Sequence, residues 1–143
     1  MNNELFSLEG KAALITGAAG GIGSEIARTF AQSGARLVLA DRDLDHTQAL
    51  ADALRDCGYS AHAVALQVQH RDQCADAVKT ALDAFGAIDI LVNSAGVNTR
   101  MRPEEYGEST WDEIIDINLK GTFNMCQAAF SAMQTHGGKI VNI

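Results

Sequence analysis

Four glycines fall within seven positions of the stretch Thr16-Gly17-Ala18-Ala19-Gly20-Gly21-Ile22-Gly23. Residues without a Cβ let main-chain N–H groups approach a bulky anion, and this turn lies between an apolar run and a run with helical spacing. A phosphate suits that chemistry. The spacing Gly17-x-x-x-Gly21-x-Gly23 differs from the G-x-G-x-x-G of the general dinucleotide fingerprint, and taken alone it also fits a tight turn where a helix packs closely on a strand. Asp41 stands 18 residues beyond Gly23 at the end of the next apolar run. There a carboxylate can accept hydrogen bonds from both hydroxyls of an adenosine ribose and would repel a 2′-phosphate. The plainer reading of Asp41 is a solvated residue capping the following turn. Arg42 next door could clamp a 2′-phosphate, but with Asp41 in place NAD is expected rather than NADP. Asn93-Ser94-Ala95-Gly96 puts small residues at a strand end, where a flat ligand can lie against the backbone or an ordinary loop can begin. Asn118 is an amide inside an apolar helical pattern, which calls either for a functional role or for backbone groups that satisfy it.

Other chemistries find no support. The sequence holds no G-x-x-x-x-G-K-S/T, H-E-x-x-H, C-x-x-C or G-x-S-x-G, and His46, His62, His70 and His136 share no spacing, so they read as surface residues. Cys57, Cys74 and Cys126 are odd in number and far apart, within apolar helical patterns. They read as small core residues in a reducing compartment, and no disulfide framework or metal site is expected.

The elements that must position these residues follow from periodicity. Lys11 to Thr16 is a continuous apolar run that predicts a strand buried on both faces. Ile22, Ile26 and Phe30 then recur at helical spacing, with Gly34 as the stop. Arg36 to Ala40 is a second strand ending at Asp41, which completes a βαβ unit. Asp43 or Asp45 caps a helix that buries Leu50, Ala51 and Leu54. Alternation from Ala61 to Val68 predicts a third strand. His70 to Phe85 is helical, with Cys74, Val78, Leu82 and Phe85 on one side, and Ile88 to Val92 is a fourth strand. Ser94 to Ser109 reads as a surface loop. Thr110 and Glu113 have the spacing of a capping box that opens a long helix through Trp111, Ile114, Ile115, Phe123, Cys126, Phe130 and Met133. Lys139 to Ile143 begins a fifth strand. Strict alternation of strand and helix predicts a doubly wound parallel sheet, whose ligands bind at the carboxyl ends of the strands where the strand order reverses.

A length of 143 residues with 47% apolar composition fits one domain with a real core. A net charge of −7 without any Lys/Arg run argues against nucleic acid or an anionic membrane surface as partner. The start, Met1-Asn2-Asn3-Glu4-Leu5-Phe6, lacks the basic and apolar regions of a signal peptide, and no segment has the length of a membrane span. A cytoplasmic location is expected.

Thr16-Gly17-x-x-x-Gly21-Ile22-Gly23, Asp41, Asn93-Ser94-Ala95-Gly96 and the Asn118 of Ile117-Asn118-Leu119-Lys120-Gly121 occur in the order seen in short-chain dehydrogenases/reductases, which the chain resembles from Leu8 to Ile143. The resemblance implies a Rossmann-type domain binding NAD. Gly17, Gly21, Ile22 and Gly23 would line the pyrophosphate, Asp41 would hold the adenosine ribose, and Asn93, Ala95 and Gly96 would flank the adenine side and the cofactor ribose. Asn118 would be the catalytic asparagine, at a point where the helix breaks locally. Gly121 suits such a break, because glycine weakens a helix interior. Where the family usually has Asp-Val, at the adenine amino group, this sequence has Gln67-Val68, which implies an altered adenine contact.

The family's catalytic serine follows the fifth strand and its Tyr-x-x-x-Lys lies on the next helix. The resemblance therefore implies that residues 1–143 are the cofactor half of a longer enzyme, truncated in the fifth strand and inactive alone. Neither Tyr59 nor Tyr106 has a lysine four residues on. The implied activity is NAD(H)-dependent interconversion of a secondary alcohol and a ketone, of sugar-acid, polyol or 3-hydroxyacyl type, by a homo-oligomer paired through the long helix. The alternative is an inactive NAD-binding or oligomerisation module. A sheet edge formed by Ile140, Val141 and Ile143 is expected to lie uncovered.

Overall fold

The computed structural model describes residues 4–143; the first three residues of the polar N-terminal segment lie outside the described residues. Five strands, β1 (Ala12–Thr16), β2 (Arg36–Asp41), β3 (Ala61–Ala65), β4 (Ile90–Asn93) and β5 (Lys139–Asn142), form one parallel sheet in the order β3-β2-β1-β4-β5. The chain winds outward from β1 to β3, then returns to the other side of β1 for β4 and β5. The strand order thus reverses between β1 and β4, and the carboxyl ends of these two strands meet where Thr16 pairs with Asn93.

Helices cover both faces, as the alternation predicts. Helices α1 (Gly21–Gln32) and α2 (Leu44–Asp56) enclose a core of Ala13, Ile15, Leu37, Leu39, Leu50, Leu54 and Val92. On the other face α3 (Arg71–Phe85) and α5 (Thr122–Gln134) enclose Leu14, Val38, Val78, Leu91, Met125 and Met133. Strands buried on both faces need unbroken apolar runs, and β1 has every residue buried.

Several boundaries and faces differ from the periodicity reading. Helix α1 buries Gly23, Ala27 and Ala31, while Ile22 is exposed and Ile26 and Phe30 only border the core. The small residues let the helix axis approach the sheet, and the large ones flank the contact. Helix α3 likewise buries Cys74, Ala77, Val78 and Ala81 and leaves Leu82 exposed. Strand β3 ends at Ala65, not Val68, although Leu66 and Val68 are buried on either side of exposed Gln67. Alternation there reports burial after the strand ladder has stopped. Cys57 is exposed and Cys126 half-buried, so only Cys74 is the core residue expected of all three.

Asp43 is the N-cap of α2, with its side chain accepting from His46 N–H. The capping box expected at Thr110 and Glu113 does not form. Helix α4 (Glu108–Ile115) starts earlier, from Gly107 in an extended conformation, so Thr110 lies inside the helix. The expected long helix is interrupted between α4 and α5 by π-helix over Asp116–Gly121, at the break that the family resemblance implies. The loop before α4 contains one short 3-10 turn at Pro103–Glu105. Strand β5 lies at the sheet edge with all four residues exposed, as expected.

A close backbone contact joins the glycine turn to α1. A Cβ on Gly23 would lie 2.1 Å from the Gly17 carbonyl oxygen, whereas one on Gly21 would meet nothing within 4 Å. Gly23→Ala is expected to lower stability by about 1–3 kcal/mol, the usual range for overpacking a tight contact, with Gly21→Ala close to neutral. Urea unfolding midpoints at unchanged slope test the pair, and equal midpoints for the two variants would contradict the assignment.

Candidate functional site

At the carboxyl ends of the strands the turns surround a cleft of about 460 Å³. Its floor is the β1–α1 turn. Gly17 has φ +67°, and a Cβ on it would lie 2.6 Å from the Ser94 carbonyl oxygen, so glycine alone fits between the two loops. Buried Thr16 ties the same loops together, because its Oγ1 accepts from Ser94 N–H at 3.2 Å and Ala95 N–H at 3.1 Å. Helix α1 opens from Gly20, and its first intrahelical bond runs from Ser24 N–H to the Gly20 carbonyl. The N–H groups of Gly21, Ile22 and Gly23 therefore have no intrahelical acceptor. Unpaired N–H groups at a helix start are a general means of holding an anion.

Asp41 ends β2 and lines the cleft. Its Oδ2 accepts from Ala19 N–H and its Oδ1 from Asp43 N–H, both at 3.0 Å. The carboxylate is thus fixed between the glycine turn and the start of α2. Two oxygens carry about four acceptor positions, so two remain for a ligand. Capping the following turn and facing the cleft are both properties of this one side chain.

Beyond Asp41 the wall is Leu66, Gln67, Val68 and Gln69, and opposite it run Ser94 to Val97, with Glu113 and Ile117 behind. Of the residues singled out in the sequence, Gly17, Asp41, Arg42, Gln67, Val68, Ala95 and Gly96 line the cleft. Gly21, Ile22 and Gly23 stand beside it at the start of α1, outside the lining. Asn93 is turned away: it is buried, and its Nδ2 donates to Asn142 Oδ1 of β5 at 2.9 Å.

Asn118 lies in the π-helical stretch with both ends of its amide engaged by one residue. Its Oδ1 accepts from Val97 N–H at 2.8 Å and its Nδ2 donates to the Val97 carbonyl at 2.9 Å. The side chain is satisfied by backbone, the plainer of the two sequence readings, and by that pairing it holds one rim of the cleft. Lining residues that the motifs did not single out include Ala19, Gly20, Asp43 and Glu113. The first two sit inside the glycine turn, where position alone would have included them.

The strand order, its reversal beside β1 and the glycine turn at that reversal define a Rossmann-type domain. The chain belongs to the short-chain dehydrogenase family, whose model, described as short chain dehydrogenase, matches residues 11–143. It is 42% identical over 139 residues to D-threitol dehydrogenase of Mycolicibacterium smegmatis, covering 96% of this chain and 54% of that protein. It is 36% identical over 137 residues to the 3-oxoacyl-(acyl-carrier-protein) reductase of Thermotoga maritima, covering 95% of this chain and 56% of the reductase. The solved structure of a 7α-hydroxysteroid dehydrogenase complexed with NADH and 7-oxo glycochenodeoxycholic acid superposes with a TM-score of 0.93 at 31% identity, covering 100% of this chain and 56% of that one. The chain spans about half the length of the curated relatives it matches. Among the described residues no helix is long and apolar enough to cross a membrane, and no cluster of His, Cys, Asp and Glu could hold a metal.

One titrating pair borders the cleft. The His46 backbone N–H, then its ring, lowers the Asp43 carboxyl below its ordinary 3.8, and Asp43 raises the His46 imidazole above its ordinary 6.5. Asp43 therefore contributes stability above its unfolded value, lost as pH falls through the lowered folded one. His46 contributes below its unfolded value, lost as pH rises through the raised folded one. Both residues are exposed, so the readout is titration itself. In NMR the His46 ring is expected to titrate above 6.5, and Asp43→Asn to bring it down. An unchanged midpoint in that variant would refute the pairing.

Proposed function

We propose that this chain carries the cofactor half of an NAD(H)-dependent oxidoreductase that interconverts a secondary alcohol and a ketone. The observation that supports it most directly is the Asp41 carboxylate, which lines the cleft, fixed by two backbone N–H groups and with acceptor positions to spare. A ribose diol fits those acceptors, whereas a 2′-phosphate would meet their negative charge, so NAD is favoured over NADP even with Arg42 beside it. The start of α1 receives the pyrophosphate at its unpaired N–H groups, and the Gln67–Val68 wall takes the adenine. The bound dinucleotide would supply or accept the hydride. The protein's residues orient it and exclude water: Gly17 and Thr16 fix the floor, and Asn118 holds Val97 at the rim as a positioning residue.

Hydride transfer to a carbonyl also needs an acid for the developing alkoxide. Neither Tyr59 nor Tyr106 is followed by a lysine four residues on, and we assign that step to none of the residues here. Residues 1–143 alone are accordingly read as inactive, in one domain. The relatives named for a polyol and for a 3-oxoacyl group support a substrate of polyol, sugar-acid or 3-hydroxyacyl type. A second reading of the same cleft is an NAD-binding or oligomerisation module without turnover. For the whole protein, binding of NAD together with polyol oxidation supports the first reading, and binding without oxidation the second. A cytoplasmic setting accords with three free cysteines.

Asp41→Asn keeps a side-chain acceptor but removes the charge. We expect it to weaken NAD binding about tenfold, near 1.4 kcal/mol, and to narrow the preference over NADP, as measured by calorimetric titration of both. Unchanged selectivity would count against the assignment. Trp111, Phe123 and Phe130 are each more than half exposed along α4 and α5, which supports a homo-oligomer paired through these helices. Phe123→Glu with Phe130→Glu is expected to shift the mass in light scattering to a single chain, and a wild-type protein already monomeric would overturn the pairing.

A further inference from the structure

Residues 66–69 form the cleft wall beyond Asp41, but the β2–β3 ladder ends at the Asp41–Ala65 pair. Sheet hydrogen bonding reaches only the first residue of this segment. Leu66 N–H donates to the Asp41 carbonyl at 2.9 Å and Gln67 N–H to Gln73 Oε1 at 2.8 Å. Val68 is held from α5. Its carbonyl accepts from Asn124 Nδ2 at 3.0 Å, across 56 residues of sequence. The Cys74 thiol is the carbonyl's other partner, at 3.4 Å, and a thiol is a weak donor.

Asn124 is only 2% exposed. An amide in a buried helix interior is a poor choice unless both ends are used, and here both are: Oδ1 accepts from Arg71 Nε at 3.3 Å. Below it, a Cβ on Gly121 would lie 2.3 Å from Val68 Cγ2, so the π-helical stretch offers a notch that receives the valine. Donor and notch fix the carbonyl and the side chain of the same residue. Burial pushes the Cys74 thiol up to about 11, so it keeps the proton it donates, but as a weak donor it cannot replace the amide.

We propose that Asn124 is a positioning residue for the nucleotide cleft: by bonding the Val68 carbonyl, and with Gly121 seating the Val68 side chain, it sets the wall against which the base of the bound nucleotide lies. This rests on the nucleotide reading of the cleft. The contact to Arg71 adds α3 to the clamp, so α3, α5 and the π-helical stretch meet at a segment that the sheet holds only at Leu66.

The test compares ADP-ribose, which carries the base, with ribose 5-phosphate, which reaches only Asp41 and the start of α1. In Asn124→Leu, of similar volume but without a donor, ADP-ribose binding measured by NMR titration on the full protein is expected to weaken about tenfold. Ribose 5-phosphate should change less than twofold. Gly121→Ala, which displaces Val68 from its other side and favours helix, should give the same selective loss if the leucine variant fails to fold. Amide hydrogen exchange at residues 66–69 of the ligand-free variant should speed up relative to β1. Equal weakening of both ligands, or of neither, would overturn the proposal. Faster exchange at 66–69 together with a wild-type protein that binds no ADP-ribose would instead overturn the nucleotide reading, leaving Asn124 a purely structural clamp.

Discussion

The cleft depends on one close approach of backbone to backbone. At Gly17 the chain leaves β1 with a positive φ and passes so near the Ser94 carbonyl that no side chain fits between. Gly23, in the first turn of α1, rests on the Gly17 carbonyl from the other side. The turn is therefore held between α1 and the β4 loop, and Thr16 closes the contact by accepting two N–H groups from that loop. The starting direction of α1, and with it the direction of its free N–H groups, follows from this packing.

The rest of the sheet adapts to that contact. Because α1 approaches through Gly23, Ala27 and Ala31, large apolar residues at helical spacing border the core without filling it. Across the sheet, α3 also presents alanines inward. Small residues at these interfaces bring the helices near the strands, and the Leu, Ile and Val of the strands pack there with Leu50 and Leu54 of α2 and Val78 of α3.

Polar side chains do the fine positioning where the sheet ladder ends. Asp41 joins the glycine turn to α2, Asn118 joins the π-helical stretch to Val97, and Asn124 joins α5 to Val68. Each bonds main-chain groups that no neighbouring strand can reach. In each case a side chain from a distant stretch completes hydrogen bonding that a loop cannot complete for itself.

The order of elements, the parallel sheet, the glycine turn and the placing of Asp41 at a strand end were all legible in the sequence, because local periodicity and chain-breaking glycines carry that information. So was the anomaly of Asn118 within an apolar helix; the same signal at Asn124, six residues on, identifies a second amide of this kind. What the sequence could not decide was which face of α1 or α3 turns inward, where β3 stops pairing, whether α4 starts at Gly107 or at a capping box, and that Asn93 points to β5 rather than into the cleft. Those outcomes depend on how near two elements can come and on which donor lies opposite which carbonyl. Such distances arise between residues far apart in the chain, and only the tertiary structure sets them.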